Sequence, residues 1–338
     1  MTLPLFYAVI FIGAALLTGL IRRYALATDL LDIPNDRSSH ALPTPRGGGL
    51  SFVLCFMASM LMLGKQGVIP PGELYVFIGP CFIVAMLGFL DDRFHLSAVW
   101  RLAGHFMMAV LAIYLLRGFP VFFEMTPYVV SGYLLCVFVV FYLVWLLNLF
   151  NFMDGIDGLA AAESICVCAG GALLYYIHGQ ASLAVPPLLL AVAVGGFLIW
   201  NFPPARIFMG DVGSGFLGFV IGVFSLQAAM AHGTLFWGWV ILAGVFITDA
   251  TLTLIRRGLA GERVFEAHRS HAYQQAVQYA GKHWPVTVSV ILINAAWLFP
   301  WALLVALERV SVITGITIAY APLLLTAIKF NAGKKAEC

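Results

Sequence analysis

Charge is what this sequence has least of. Only 10% of its residues are Asp, Glu, Lys or Arg and 62% are apolar, with a mean hydropathy of +0.97, whereas soluble domains carry roughly a quarter charged residues. That scarcity excludes a soluble globular protein and points to a chain that crosses a membrane many times. A net charge of +2 is too small to argue for a nucleic-acid partner. The six cysteines, at 55, 81, 136, 166, 168 and 338, form no CxxC pair and no His/Cys ligand spacing, so they read as packing residues rather than metal ligands or disulfide partners. No soluble domain, low-complexity tract or internal repeat interrupts the apolar pattern, and the missing repeat counts against repeat-built transporters. No basic residue precedes the first apolar run, while Arg22 and Arg23 follow it. A cleaved signal carries its charge on the other flank, so an uncleaved first span is expected.

Apolar runs long enough for a bilayer core of about 30 Å begin near residues 3, 48, 74, 99, 129, 159, 182, 213, 234, 286 and 310. The expected fold is therefore all-α: a polytopic helical membrane bundle of about eleven transmembrane helices, a single domain over 1–338. Fifteen of the 18 Lys and Arg residues fall in the alternate loops 22–47, 91–101, 148–158, 201–212 and 256–285 and the tail 329–338; only Lys65, Arg117 and Arg309 lie on the other side. By the positive-inside rule those loops are cytoplasmic, with the N-terminus periplasmic and the C-terminus cytoplasmic. Nearly every polar cluster lies on that face too, so it is the expected active face.

The densest cluster is L-N-L-F-N-F-M-D-G-I-D-G-L (147–159), where Asp154 and Asp157 need a wet cavity, a cation or hydrogen-bond donors. Asn148 and Asn151, three apart, bring amides to one helix face. Asp91 and Asp92 end another span; they read either as a solvated helix end paired with Arg93 or Arg101, or as ligands. Asp211, in F-M-G-D-V-G-S-G (208–215), reads either as a helix cap or as a residue whose flanking glycines let a ligand approach. Five carboxylates at one face with few cations suit Mg²⁺, with diphosphate oxygens completing its shell, and hence phosphoryl chemistry. Phe208, in a polar loop, could stack on a planar base or simply sit at the interface. His268, Arg269 and His271, with Arg256, Arg257 and Arg263 upstream, form a cationic patch fitted to phosphate, or one that only sets topology. Arg37, His40 and Arg46 with Gly47–Gly49 form a second basic loop whose glycine amides could meet an anion. Glu163 and Asp249 are acids inside spans, either functional or pairing with a neighbour.

In order and topology, D-x-P-x-x-R-x-x-H-x-x-P-x-P-R-G-G (32–48), D-D (91–92), N-x-x-N-x-x-D-G-x-D-G-L-A (148–160), N-x-P-x-x-x-I-F-M-G-D-x-G-S (201–214) and a His-containing inner loop resemble the polyprenyl-phosphate N-acetylhexosamine-1-phosphate transferases, the MraY/WecA-like enzymes. The resemblance covers about residues 20–275. It implies transfer of an N-acetylhexosamine-1-phosphate from a UDP-sugar to undecaprenyl phosphate, releasing UMP, in the bacterial inner membrane with the site facing the cytoplasm. It implies Mg²⁺ as cofactor, with Mn²⁺ as the substitute ion, on Asp211 with Asp92. Asp91 and Asp92 become the essential pair near metal and acceptor phosphate. Asn151, Asp154, Asn201 and Phe208 become contacts around the uridine and its ribose, Asn148, Asp157, Arg46 and Arg269 further substrate contacts, while His268 and His271 hold diphosphate. The expected partners are the UDP-N-acetyl sugar, undecaprenyl phosphate and membrane lipid, with homodimerisation left open. The inner loop reads H-R-S-H (268–271), with Ser270 where the family often has a middle histidine. That departure bears on sugar choice and resembles the branch that initiates O-antigen or related envelope glycans. Two rivals are weaker. The CDP-alcohol phosphotransferase motif fails at Ala162, where arginine is required, and a cation-coupled transporter needs acids near the midplane rather than at one edge.

Overall fold

The computed structural model describes residues 3–34, 42–116, 132–262 and 269–334. The chain folds into α1 (Leu3–Ala27), α2 (Leu50–Lys65), α3 (Pro71–Phe94), α4 (Ala98–Leu116), α5 (Gly132–Phe152), α6 (Leu159–Ile177), α7 (Ala181–Asn201), α8 (Asp211–Ala231), α9 (Gly233–Leu242), α10 (Gly244–Leu259), α11 (Ala272–Ala280), α12 (His283–Ala306) and α13 (Val312–Lys329). Between α1 and α2, β1 (Leu31–Asp32) pairs antiparallel with β2 (Thr44–Pro45). Among the described residues nine helices are long and apolar enough to cross a membrane, and α9 with α10, bent by 70°, makes a tenth candidate. The expectation was eleven. The run near residue 48 does form a helix, α2, but its 16 residues reach only about 24 Å at 1.5 Å per residue, less than the hydrocarbon thickness.

The bundle is built around α8, whose membrane-crossing stretch is buried throughout, as expected for a helix that is apolar all round. Small residues at Ser214, Gly218 and Gly222 recur every fourth position and form the stripe that lets helix backbones approach closely. A Cβ at Gly218 would overlap the Leu146 carbonyl, and one at Gly222 the Leu143 side chain, so α5 lies almost against the α8 backbone. Where that contact ends, the Asn151 amide donates to Ser214 Oγ at 3.1 Å. On another side, Gly88 of α3 leaves no room for a Cβ against the Asp211 backbone. One turn further on the same face of α3 stands Asp92. Toward the opposite end of α8 the core is aromatic, with Phe56, Phe77, Phe224 and Trp239 packed edge to face or tilted.

The segments that carry the polar motifs converge at one end of the bundle. Asp92 bonds to the start of α8, Gly158 to Asn201, Asp157 to Ala205 and Tyr273 to Phe152. The turn after α13 returns to this end, where the Gly333 N–H donates to the Ser270 carbonyl at 2.7 Å. His178, His232 and Glu308 mark the other end.

Gly218→Val should force α5 and α8 apart, an overpacking penalty of about 1–3 kcal/mol, and lower the thermal unfolding midpoint in detergent. Gly13→Ala, where an added Cβ meets only Cys55 Sγ at 3.8 Å, should not move it. An unchanged midpoint for Gly218→Val would contradict the close crossing.

Candidate active site

The site begins with the N-terminus of α8, whose first N–H groups have no partner within the helix. Gly210 precedes it with φ +77°, a conformation that suits glycine, and it carries no capping side chain. The cap comes from α3 instead. Asp92 Oδ1 accepts from the Asp211 N–H and Oδ2 from the Val212 N–H, each at 3.1 Å. The carboxylate thus sits at the positive end of the helix dipole, and a side chain at position 210 would run into it. Arg46 donates to the Asp92 carbonyl, and its guanidinium lies 4.0 Å from Oδ1. Asp92, expected as a catalytic residue and metal ligand, is thus seen here as the cap of α8. Both its oxygens are engaged and it is only 4% exposed, so it holds the start of α8 in place.

Held there, Asp211 turns toward the other acids. Arg101 of α4 bridges Asp91 Oδ2 and Asp211 Oδ2, the latter at 3.2 Å, and the Asp211 side chain remains one-third exposed, at 33%. Asp154 lies in the turn between α5 and α6. Desolvation pushes its carboxyl well above the ordinary range, and the negative charges of Asp211, Asp92 and Asp157 push it further. Among the described residues no cationic side chain pairs with Asp154. The cluster is short of positive charge and offers hard oxygen donors, which suits Mg²⁺ or Mn²⁺. No group of three His, Cys, Asp or Glu side chains among the described residues closes around one point. Asp211, with Asp154 beside it, therefore fits an ion held by one or two carboxylates and completed by water or phosphate oxygens.

A cavity of about 350 Å³ opens beside this cluster. One end is polar, lined by Arg101, Asn148, Asn151 and Asp211; the remainder is apolar, with Phe141, Val144 and Leu254 among its walls. Asn148 keeps its place by donating to the Val144 carbonyl one turn back, at 2.7 Å. His105, which the sequence reading passed over, also lines the cavity. Arg101 was weighed there only as a counter-ion. The Nε atoms of Arg46 and Arg101 are buried without a partner among the described residues.

Several of the expected contact residues also brace the loops around the site. Asn201 Oδ1 accepts from the Gly158 N–H and Nδ2 donates to the Ile207 carbonyl, both at 3.0 Å, and the residue is buried. Its amide is used at both ends and clamps two loops together. Asp157 accepts from the Ala205 N–H at 2.9 Å and pairs with His283 Nδ1 at 3.1 Å, which ties three segments together; His283 was missed in the sequence. Phe208 is half-buried, and its backbone bonds to Pro45 and Gly48. The Gly48 and Gly49 amides bond to the Phe208 and Met209 carbonyls at 2.9 and 2.8 Å, so they are not bare donors for an anion.

The inner loop is organised by Asp249. Its carboxylate accepts from the Ala272 and Tyr273 N–H groups, each at 2.9 Å, and from His271 Nδ1 at 3.2 Å. A carboxylate on Nδ1 orients the imidazole and places the reactive nitrogen at Nε2. The His271 ring stacks with Phe152 and with Tyr273. Glu163, the other acid within a span, accepts from Asn294 Nδ2 at 2.6 Å. Arg269 stands just before α11, and its carbonyl accepts from Gln275. His268, with Arg37, His40 and Arg263, lies outside the described residues.

Residues 74–229 match the family described as Glycosyl transferase family 4. The chain is 29% identical over 285 residues to the probable undecaprenyl-phosphate N-acetylglucosaminyl 1-phosphate transferase of Bacillus subtilis, covering 82% of this chain and 78% of that one. It is 30% identical over 301 residues to the decaprenyl-phosphate N-acetylglucosaminephosphotransferase of Mycolicibacterium smegmatis, covering 79% and 73%. It is also 28% identical over 265 residues to the phospho-N-acetylmuramoyl-pentapeptide-transferase of a Geobacillus species, covering 73% and 79%.

If Asn201 is a strut, Asn201→Leu should strand a buried carbonyl and a buried N–H, at about 1–3 kcal/mol each, and lower the thermal midpoint without any substrate present. A raised KM for the donor with an unchanged midpoint would instead make it a ligand contact.

Proposed function

The chain belongs to glycosyl transferase family 4, the MraY/WecA-like polyprenyl-phosphate N-acetylhexosamine-1-phosphate transferases, and from that premise we propose its particular reaction. It transfers an N-acetylhexosamine-1-phosphate from a UDP-sugar to undecaprenyl phosphate at the cytoplasmic face of the bacterial inner membrane, releasing UMP. The product begins an O-antigen or another envelope glycan.

The observation that carries this reading is the two-ended cavity, which joins an acidic, amide-lined end to an apolar flank. A nucleotide diphosphate and a lipid-borne phosphate can meet only where both kinds of surface adjoin. Asn148 and Asn151 lie at the polar end to hydrogen-bond the nucleotide, with the Phe208 ring as the surface for its base. Arg101 and Arg46 supply fork-shaped donors for phosphate oxygens, and Arg269 and His268 add charge from the inner loop. His271, oriented by Asp249, presents Nε2 toward the diphosphate. Asp211, with Asp154, would hold Mg²⁺, or Mn²⁺ in its place. When bound, that ion offsets the charge of the diphosphate oxygens.

An oxygen of the carrier phosphate attacks the sugar-bearing phosphorus in line. A new P–O–P linkage forms as the old one breaks, and UMP leaves with the bonding pair. The carrier phosphate, a monoester with a second pKa near 6, is largely dianionic at neutral pH. No residue has to remove a proton first, so Asp91 acts through charge, by holding Arg101 at the site. Asp92 and Asp157 act through position.

Membranes given labelled UDP-N-acetylglucosamine and undecaprenyl phosphate should yield UMP and an extractable labelled lipid; neither product would refute the assignment. Asp211→Ala should abolish turnover, and near-normal rates would remove the metal assignment. Because the Asp154 carboxyl is raised, a bound cation must displace its proton. The Mg²⁺ concentration for half-activity should therefore rise as pH is lowered. That dependence should flatten in Asp154→Asn; an equal slope in both proteins would contradict the crowding of charge.

A further inference from the structure

A second cavity, of about 250 Å³, lies between α10, α11, α12 and α13 and is walled almost entirely by apolar groups, including Val245, Ala276, Val290 and Leu323. It is separate from the active-site cavity. Leu254 lines the first cavity and Val245 the second, and nine residues at 100° each place them on opposite faces of α10. Its inner wall includes Asp249 and Tyr273, which fix α11 and orient His271.

The mouth has the chemistry of a membrane surface. Tyr279 of α11, 89% exposed, meets Phe330 at the end of α13 edge to face, with ring centroids 6.5 Å apart. Trp284, half exposed, stands at the start of α12. Tyrosine and tryptophan collect at the headgroup level. Lys282 and Lys329 are exposed in the same two corners, three residues from Tyr279 and next to Phe330. In the described stretch 269–334 the only acid is Glu308, which lies at the far end of the bundle beside His232. Positive-inside topology accounts for two lysines, but not for an apolar cavity lined by Tyr279 and Phe330 beside them.

We propose that this groove binds an anionic glycerophospholipid, one acyl chain lying between α10, α11, α12 and α13 and the phosphate meeting Lys282 and Lys329. The charge of the rim selects an anionic headgroup over a zwitterionic one. The chain presses on the wall formed by Asp249 and Tyr273 and steadies the inner loop, so the lipid acts as a positive effector at a site apart from both substrates.

The full-length protein is reconstituted in nanodiscs of phosphatidylcholine alone or mixed with phosphatidylglycerol. Lipid retained after extraction is read by native mass spectrometry, and thermal midpoint and turnover are read in parallel. The wild type should retain phosphatidylglycerol with several-fold preference, and its midpoint should rise with that lipid. Lys282→Ala with Lys329→Ala should lose the preference while the protein stays folded, and Ala276→Trp should lose it by filling the groove. Equal retention of both lipids by the wild type, or an unchanged preference in the lysine variant, overturns the proposal. A raised KM for polyprenyl phosphate in Ala276→Trp with phosphatidylglycerol retention intact assigns the groove to the carrier and overturns it as well. The retention and midpoint readings do not depend on the transferase reaction, so a failure there is distinguishable from a failure of the proposed activity.

Discussion

The contact on which the rest depends is a carboxylate of one helix capping the start of another. Asp92 of α3 takes the first N–H groups of α8, and α8 is the helix around which the bundle is packed. A capping interaction is worth about 1 kcal/mol in exposed helices. Here its larger effect is geometric, because it fixes the direction in which Asp211 leaves the helix end. Gly88 permits the approach of α3, Gly210 leaves room for the Asp92 carboxylate, and Arg46 secures the Asp92 backbone. The Ser214, Gly218 and Gly222 stripe brings Asn151 to the same place from α5. Small residues thus determine where the polar ones meet.

What they create is an electrostatic deficit. Asp211 stands near both Asp91 and Asp154, and Arg101 is shared between Asp91 and Asp211. Burial makes such crowding costly unless positive charge arrives. A divalent ion accompanied by a diphosphate brings that charge together with its own additional ligands. This explains how the acids can be grouped without forming a closed metal cage. On the proposed reading, the substrate itself supplies the rest of the ion's shell.

Much of this was legible in the sequence, for physical reasons. Long apolar runs and the one-sided distribution of lysine and arginine reveal the spans and gather the motifs on one face. The length of α2 was less legible, because a helix's apolar run can extend into loop residues. In the candidate site, acids flanked by glycine pointed to segments that the fold brings to one end of the bundle. Sequence could not separate a ligand contact from a strut, since both call for a buried polar residue. Asn201 and Asp157 satisfy backbone groups of neighbouring loops, and Gly48 and Gly49 do the same. Nor could spacing reveal that Asp249, 22 residues before His271, reaches across to orient it. Arg101 read only as a counter-ion for the Asp91–Asp92 pair, because sequence spacing could not show that it also reaches Asp211.

The central claim is that Asp211 anchors a divalent ion whose shell the nucleotide completes. Electron paramagnetic resonance of Mn²⁺ with the purified protein tests it most directly, comparing wild type and Asp211→Asn with and without UMP. The account predicts weak Mn²⁺ binding to the free wild type, marked tightening when UMP is added, and no tightening in Asp211→Asn. Equal tightening in both proteins would place the ion elsewhere and contradict the account.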